Sequence, residues 1–155
     1  MIIYRESEGV VEVSMTADEF NRSELPSKGW SDQVPMAKRQ DVVWGKIKEY
    51  RDVLIQSGGY LVDGKWYHSD LMSRTQQIGL TLLGNNIPAD LMWKTMDGSF
   101  VQMTPPLAQQ IFVAAATSDT KIFICAEQHN AAMMLLPNPE TYDYTSGWPS
   151  TFPNV

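Results

Sequence analysis

A chain of 155 residues is long enough for one domain of common size with a buried core. A hydrophobic fraction of 43% and five tryptophans exclude a disordered chain. A net charge of −6 argues against nucleic acid or an anionic membrane as a partner, because both attract dense positive charge.

The sequence predicts a soluble protein made inside the cell. The single cysteine, Cys125, excludes an intramolecular disulfide and fits a reducing compartment. No apolar run approaches the roughly 18 residues that a membrane-spanning helix needs. The first 30 residues carry no signal-peptide pattern.

Residues 1–40 form a leader of mixed character. Short strands are predicted at residues 1–4 and 10–14. Thr16, followed three positions later by Glu19, matches the capping box at a helix start. Pro26 and Pro35 favour extended backbone in the residues before them. We expect this leader to pack on the main body of the chain or on a partner.

The main body, residues 41–136, contains one local plan twice, offset by 34 residues. In each copy a strand-like run leads into Asp-Gly, first Asp63-Gly64 and then Asp97-Gly98. Asp-Gly between two strand-like runs is a strong hairpin signal, because a two-residue type I′ turn needs positive φ at both positions. Each copy therefore predicts a tight hairpin.

Each predicted hairpin leads directly into a helix. Two positions after the glycine stands an aromatic residue, Trp66 or Phe100. Six positions after it stands a helix-capping residue, Asp70 or Thr104, with Pro105 after the second. We interpret these aspartates, glycines and caps as structural turns and helix starts.

Three helices are predicted around the two hairpins. The first follows Asp41 and ends at Gly58-Gly59, and its apolar positions fall on one face: Val43, Ile47, Tyr50 and Leu54. The second runs from Asp70 to about residue 83, with Leu71, Ile78 and Leu82 on one face. The third starts at Thr104 and runs to about residue 136, either continuous or broken near residues 117–120. Its inward-facing positions are predicted to be Leu107, Ile111, Ala114, Ala115, Ile122, Cys125, Ala126 and His129.

The predicted fold class is therefore α+β and mainly helical, in the order helix, hairpin, helix, hairpin, long helix. An irregular leader (1–40) precedes this domain (41–136), and an extended tail (137–155) follows it. Because isolated two-stranded hairpins are marginal in water, we expect the hairpins to pack together or against the helices.

The tail is rich in proline and aromatic residues. Its four prolines in 19 residues exclude a helix or a regular central strand, and it has no lysine or arginine. Such a segment is expected to lie on a surface. Aromatic side chains with a polar group are common interface anchors, so the candidate partner-binding residues are Trp30, Tyr142, Tyr144, Trp148 and Phe152.

The residues His68, Ser69 and Asp70 suggest a catalytic triad, but triads converge from separate segments. Their alternative role is to cap the second helix and cover the hairpin edge. Cys125 and His129 share a helix face, yet a metal site would need further ligands and the sequence IFICA predicts burial. We therefore predict no catalytic residue, no metal and no cofactor.

The segment from Trp44 to Met134 resembles an uncharacterised domain family found in tail and tail-fibre gene clusters of tailed bacteriophages. The residues that carry this resemblance are WGKIKEYRD, SGGYLVDGKWYHSDLMSRTQQ, WKTMDGSFVQMT and the helix through FICAEQHNAAM. The Trp148-Pro149 ending, with Pro153, is also similar to the endings of phage tail-fibre assembly proteins. The resemblance implies a phage tail context without enzymatic activity and transfers no catalytic residue.

These inferences predict a non-enzymatic tail protein that binds the tail fibre as an assembly chaperone or accessory protein and can remain attached. The alternative is a structural virion component, an adaptor or decoration of the tail, baseplate or fibre. A remote alternative is a small hydrolase or thiol enzyme built on His68, Asp70 or Cys125. The expected location is the host cytoplasm during assembly, or the tail of the virion.

Overall fold

The computed structural model describes residues 1–5 and 9–153, with the backbone alone at residues 9–11. The fold is α+β and mainly helical, as the sequence predicts. Its helices are α1 (Ala17–Arg22), α2 (Met36–Ser57), α3 (Leu71–Leu83) and α4 (Pro105–Met134). Its strands are β1 (Ile2–Arg5), β2 (Gly9–Glu12), β3 (Tyr60–Val62), β4 (Lys65–Tyr67), β5 (Met92–Lys94) and β6 (Phe100–Gln102). Short 3-10 helices lie at Pro26–Lys28, Gly84–Asn86 and Pro139–Thr141.

The described chain divides into two compact units. One contains Met1–Gly45 with Met133–Tyr142, and the other contains Lys46–Ala132 with the residues from Asp143 onward. The predicted division into leader, domain and tail at residues 40 and 136 stays a prediction.

The first unit is built on the antiparallel hairpin of β1 and β2. Ile3 is buried on β1, and Tyr4 exchanges two backbone hydrogen bonds with Ser31, at 2.7 and 2.9 Å. The capping box of α1 is present as predicted, since Glu19 N donates to Thr16 Oγ1 and Thr16 N donates to the Glu19 carboxylate. Local chemistry therefore fixes the start of α1.

The second unit contains the main hydrophobic core. Its buried members come from the two hairpins, α3, the loop after it and α4: Tyr60, Val62, Tyr67, Leu80, Ile87, Met103, Ala108 and Ile111. Ile47 and Leu54 of α2 and Ile122, Cys125, Ala126 and His129 of α4 are also buried, as their helical spacing predicts. The hairpins supply aromatic and β-branched side chains, and the helices supply aliphatic ones.

Helix α3 departs from the usual relation between apolar spacing and burial. Its N-cap is Asp70, whose carboxylate accepts from Ser73 N at 3.0 Å, as predicted. Its apolar face, however, points outward, because Leu71 and Leu82 are more than 80% exposed. The side chains it buries are Gln77 and Leu80. Gln77 is satisfied there by donating to the His68 carbonyl at 2.9 Å.

Helix α4 is continuous across residues 117–120, so the broken alternative is wrong. Thr117 and Thr120 donate their hydroxyls to the carbonyls of Val113 and Ala116, four residues back, which leaves the helical backbone intact. Thr104 starts the helix, since its Oγ1 accepts from Leu107 N at 3.3 Å. Among the described residues, no helix is both long enough and apolar enough to cross a bilayer.

Candidate partner-binding groove between α3 and β5

The first hairpin, β3–β4, has the predicted two-residue turn. Val62 pairs with Lys65, and the two residues between them, Asp63 and Gly64, have φ values of 49° and 76°. Positive φ at both positions is the type I′ geometry that matches the twist of the strands.

The second hairpin, β5–β6, has a longer turn, so the two-residue prediction is wrong for it. Lys94 pairs with Phe100, leaving a five-residue loop, and in the described chain Asp63 alone among non-glycine residues has a positive φ. Gly98 does adopt positive φ, at 82°. Asp97 instead accepts hydrogen bonds from Ser99 N at 2.9 Å and Thr95 Oγ1 at 2.6 Å. The Asp97 side chain, together with the left-handed Gly98, closes this turn.

The two hairpins are joined through their turns, although they form separate two-stranded sheets. Lys65 Nζ donates to Asp97 Oδ2 at 2.8 Å and to Ser99 Oγ at 2.9 Å. Met96 N donates to the Trp66 carbonyl at 2.9 Å. The hydrogen bonds from Lys65, Thr95 and Ser99 hold the pKa of Asp97 well below its usual range. The expected packing of one hairpin against the other is confirmed.

An apolar groove of about 870 Å³ lies between α3 and the second hairpin. The α3 wall includes Gly79, Leu80 and Leu83, and the opposite wall is formed by Leu91 and strand β5. No residue of β6 lines it. The groove therefore meets the outer edge of β5 rather than the face of the hairpin. Among the described residues that line it, Lys94 is the one with a permanent charge.

Helix α3 and strand β5 also carry exposed apolar side chains. The most exposed of them are Leu71, Met72, Ile78, Leu82, Leu83 and Met92. Of these, Leu83 and Met92 line the groove itself, and exposed apolar side chains in a groove are typical of an interaction site. Neither the apolar spacing of α3 nor the strand pattern identifies this groove, because both are normally signs of burial.

Trp93 adds an unsatisfied polar atom to the groove wall. Its Nε1 is buried and has no hydrogen-bond partner among the described residues. A buried N–H without an acceptor costs roughly 1–3 kcal/mol.

The predicted aromatic contacts of the C-terminal segment (residues 143–153) lie on the second unit itself. Tyr144 and Trp148 both contact Tyr50, with ring centroids 6.1 and 5.5 Å apart. Trp148 also stacks on His129 at 4.9 Å, and Phe152 lies edge-on to Trp66 at 6.3 Å. All three are half-buried. The segment therefore lies on a surface, as expected, and that surface is its own domain.

The other two candidate aromatics belong to the first unit. Trp30 is half-buried, with the Arg5 guanidinium 5.8 Å from its ring centroid. Tyr142 is half-buried after the last 3-10 helix. A partner-binding role for Trp30, Tyr142, Tyr144, Trp148 and Phe152 stays a prediction.

The residues considered for chemistry have structural contacts in the second unit. Ser69 is buried and its Oγ accepts from Gly59 N at 3.0 Å, while Asp70 caps α3. Cys125 donates to the Gly147 carbonyl at 3.4 Å, and burial raises the pKa of its thiol. Within residues 1–5 and 9–153, no three His, Cys, Asp or Glu side chains are grouped to hold a metal ion.

Arg74 is an important residue that the sequence did not single out. Its guanidinium forms a bidentate pair with Asp119 of α4, at 2.6 and 3.1 Å, and donates to the Ile55 carbonyl at 2.7 Å. It also donates to the Ser69 carbonyl and lies 5.2 Å from the Tyr60 ring centroid. One side chain thus connects α2, α3, α4 and the first hairpin.

One comparison with known protein families found a match. The family model described as Domain of unknown function (DUF4376) matches residues 37–146, which include both hairpins and both walls of the groove. The chain belongs to the DUF4376 family. No curated protein and no solved structure matches it. The resemblance to a domain family of unknown function is therefore confirmed. The matched region, residues 37–146, begins before Trp44 and ends after Met134.

Proposed function

We propose that this protein is a non-enzymatic component of a phage tail that binds the tail fibre and assists its assembly. The observation that carries a binding role is the apolar groove between α3 and β5, with exposed leucine and methionine side chains around it. A protein that shields a partner's apolar surface before assembly needs such a surface of its own.

The phage context rests on the sequence resemblance. Its most specific strings, HSDLMSR and WKTMDGSFVQMT, contribute the N-cap of α3, Arg74 and the second hairpin from Trp93 onward. They therefore include four of the residues that line the groove: His68, Ser73, Trp93 and Lys94. This coincidence supports the groove, rather than the C-terminal aromatics, as the primary docking site.

Co-expression of a tail fibre with and without this chain tests the proposal. The fibre for this test is taken from a tail-fibre gene that neighbours the gene of this chain. The expected result is a larger soluble trimeric fraction in the presence of the chain, and co-purification of the two proteins. Normal trimerisation without the chain, together with no co-purification, would overturn the proposal.

A matched pair of variants separates docking from folding. Leu83 and Met92 line the groove and are about half exposed, so the double change Leu83→Ser, Met92→Ser removes apolar surface from it with little effect on stability. We expect it to weaken co-purification. The control Val53→Ser, Val42→Ser changes two exposed valines of α2 that lie outside the groove, and it should leave co-purification unchanged.

The structural virion component stays the second candidate. The same groove would then hold a permanent neighbour in the tail or baseplate. Mass spectrometry of purified particles separates the two roles. A fixed copy number per particle would support a structural component, and absence from mature particles would support a transient assembly protein.

A further inference from the structure

The outer edge of β5 carries backbone groups that the hairpin does not use. Met103 N donates to the Leu91 carbonyl at 2.8 Å, and Thr95 N donates to the Ser99 carbonyl at 2.9 Å. In an antiparallel pair, hydrogen-bonded positions alternate with non-bonded ones. The backbone N–H and C=O groups of Trp93 therefore point toward β6, whereas those of Met92 and Lys94 point away from it.

These outward groups border the apolar groove. Met92 and Lys94 line it together with the α3 wall, and both residues are exposed. An uncovered strand edge is a template for pairing with another chain. Gly79 leaves the α3 wall open, because a Cβ at that position would meet no atom within 4 Å.

From this juxtaposition we propose that the groove binds an extended segment of a partner protein, which adds to the hairpin as a third strand beside β5. Backbone hydrogen bonds to Met92 and Lys94 supply the pairing. Alternate side chains of the segment enter the groove against Leu80 and Leu83, so the segment carries apolar residues at every second position.

The charge of the groove refines the partner's chemistry. Lys94 is the one permanently charged side chain among the described residues lining the groove, so an acidic residue is favoured near one end of the added strand. The inference rests on the proposed function for the partner's identity, but not for the mode of binding.

A display library of random peptides of about ten residues, a common length for one strand, tests the mode of binding without any fibre. Selection against the full chain is expected to enrich sequences with apolar residues at alternate positions. On binding, amide hydrogen exchange should slow at Met92 and Lys94, and change little at Trp93, whose N–H already faces β6.

Two variants and two matched controls test the site. Gly79→Trp fills the groove, and Gly45→Trp places the same side chain at another helical glycine with open space around its Cβ. Met92→Pro removes an outward N–H, and Gln102→Pro removes the N–H opposite it on the far edge of the hairpin. The Gln102 change also removes a side-chain bond to the Ala89 carbonyl, so it is the harsher test of folding.

We expect Gly79→Trp and Met92→Pro each to weaken selected peptides by about tenfold or more, while both controls bind as the unmodified chain does. Three results would each overturn strand addition. Peptides could bind Met92→Pro as tightly as the unmodified chain, or the selected peptides could show helical periodicity. The third result is that no peptide is enriched above the level selected with Gly79→Trp. If the free chain forms a dimer and Gly79→Trp dissociates that dimer, a second copy of the chain occupies the groove. This result would also overturn strand addition by a partner. If Gly79→Trp still co-purifies with the fibre, the proposed function holds but the fibre does not bind in this groove.

Discussion

At the scale of single residues, Arg74 stabilises the second unit, and no feature of the sequence indicates this role. Its side chain and that of Asp119 are 23% and 25% exposed, which places the pair between a surface and a buried salt bridge. Removing Arg74 leaves the Asp119 carboxylate and the carbonyls of Ile55 and Ser69 without its hydrogen bonds.

We expect Arg74→Met to lower the free energy of unfolding by about 2–3 kcal/mol, somewhat less than the loss of a fully buried pair. Urea denaturation followed by tryptophan fluorescence measures it. The control is Lys28→Met, which breaks the exposed Lys28–Glu24 pair and should cost less than about 0.5 kcal/mol. Equal losses for the two variants would contradict the prediction.

His129 gives the stability of the second unit a defined dependence on pH. Burial lowers the pKa of this histidine below its ordinary value. The unfolded chain therefore takes up a proton at a higher pH than the folded chain does. By linkage, stability is present above the unfolded pKa, about 6.5, and falls as pH drops through and below it.

We expect His129→Phe, which keeps a ring against Trp148, to reduce the loss of stability between about pH 7 and pH 5. Denaturant titrations at several pH values measure this slope. The chain has one other histidine, His68, so His68→Asn is the control and should keep the slope. If His129→Phe leaves the slope as it is, another group controls it.

At the scale of elements, the junction between α2 and β3 depends on Gly59. This residue has a φ of 74°, and a Cβ there would overlap Met96 Sδ and approach the Tyr67 carbonyl. Both the left-handed backbone and the close packing exclude a side chain.

Gly59→Ala should therefore lower the free energy of unfolding by more than about 2 kcal/mol, as backbone strain adds to overpacking. Gly79→Ala is the matched control. It lies within α3 with open space around its Cβ, so it should raise stability by up to about 1 kcal/mol. Thermal and urea unfolding of both proteins check the two signs, and a stabilising Gly59→Ala would show that the junction can rearrange.

Elements whose signals are local were predictable from the sequence. Thr16 with Glu19, Asp70 before α3, and Asp63-Gly64 in the first hairpin each act within a few residues. The second turn differs because Asp97 bonds to Thr95 and Ser99, an arrangement that competes with the two-residue turn.

The groove could not be predicted because it depends on contacts between distant segments. The apolar spacing of Leu71, Ile78 and Leu82 would ordinarily indicate burial. Instead, Arg74 and its pair with Asp119, 45 residues away, are on the inner side of α3 together with Gln77. These polar partners turn the leucines outward, and no periodicity within α3 encodes them.

At the scale of the whole molecule, the C-terminal segment is part of the domain. Besides its aromatic contacts, Phe152 N donates to the Gly58 carbonyl at 2.8 Å, and Trp148 Nε1 donates to the Tyr144 carbonyl at 2.7 Å. Its half-buried rings cover side chains of α2, α4 and the first hairpin.

A chain ending at Tyr142 should lose roughly 3 kcal/mol of stability, about half the value of three fully buried aromatic side chains. Calorimetry and urea unfolding measure the loss. Trp148→Ala should account for the largest single part of it, because Trp148 contacts both Tyr50 and His129. A truncated chain as stable as the full one would show that these contacts contribute nothing.

The position of Cys125 allows its thiol to report slow detachment of the C-terminal segment. Its thiol is the only one in the protein, and it is 8% exposed beneath the carbonyl of Gly147. A thiol reagent can therefore react at the rate at which residues 143–153 detach, without any introduced label. The labelling half-life, measured with and without a bound fibre, would report whether a partner at the distant groove slows or quickens that detachment.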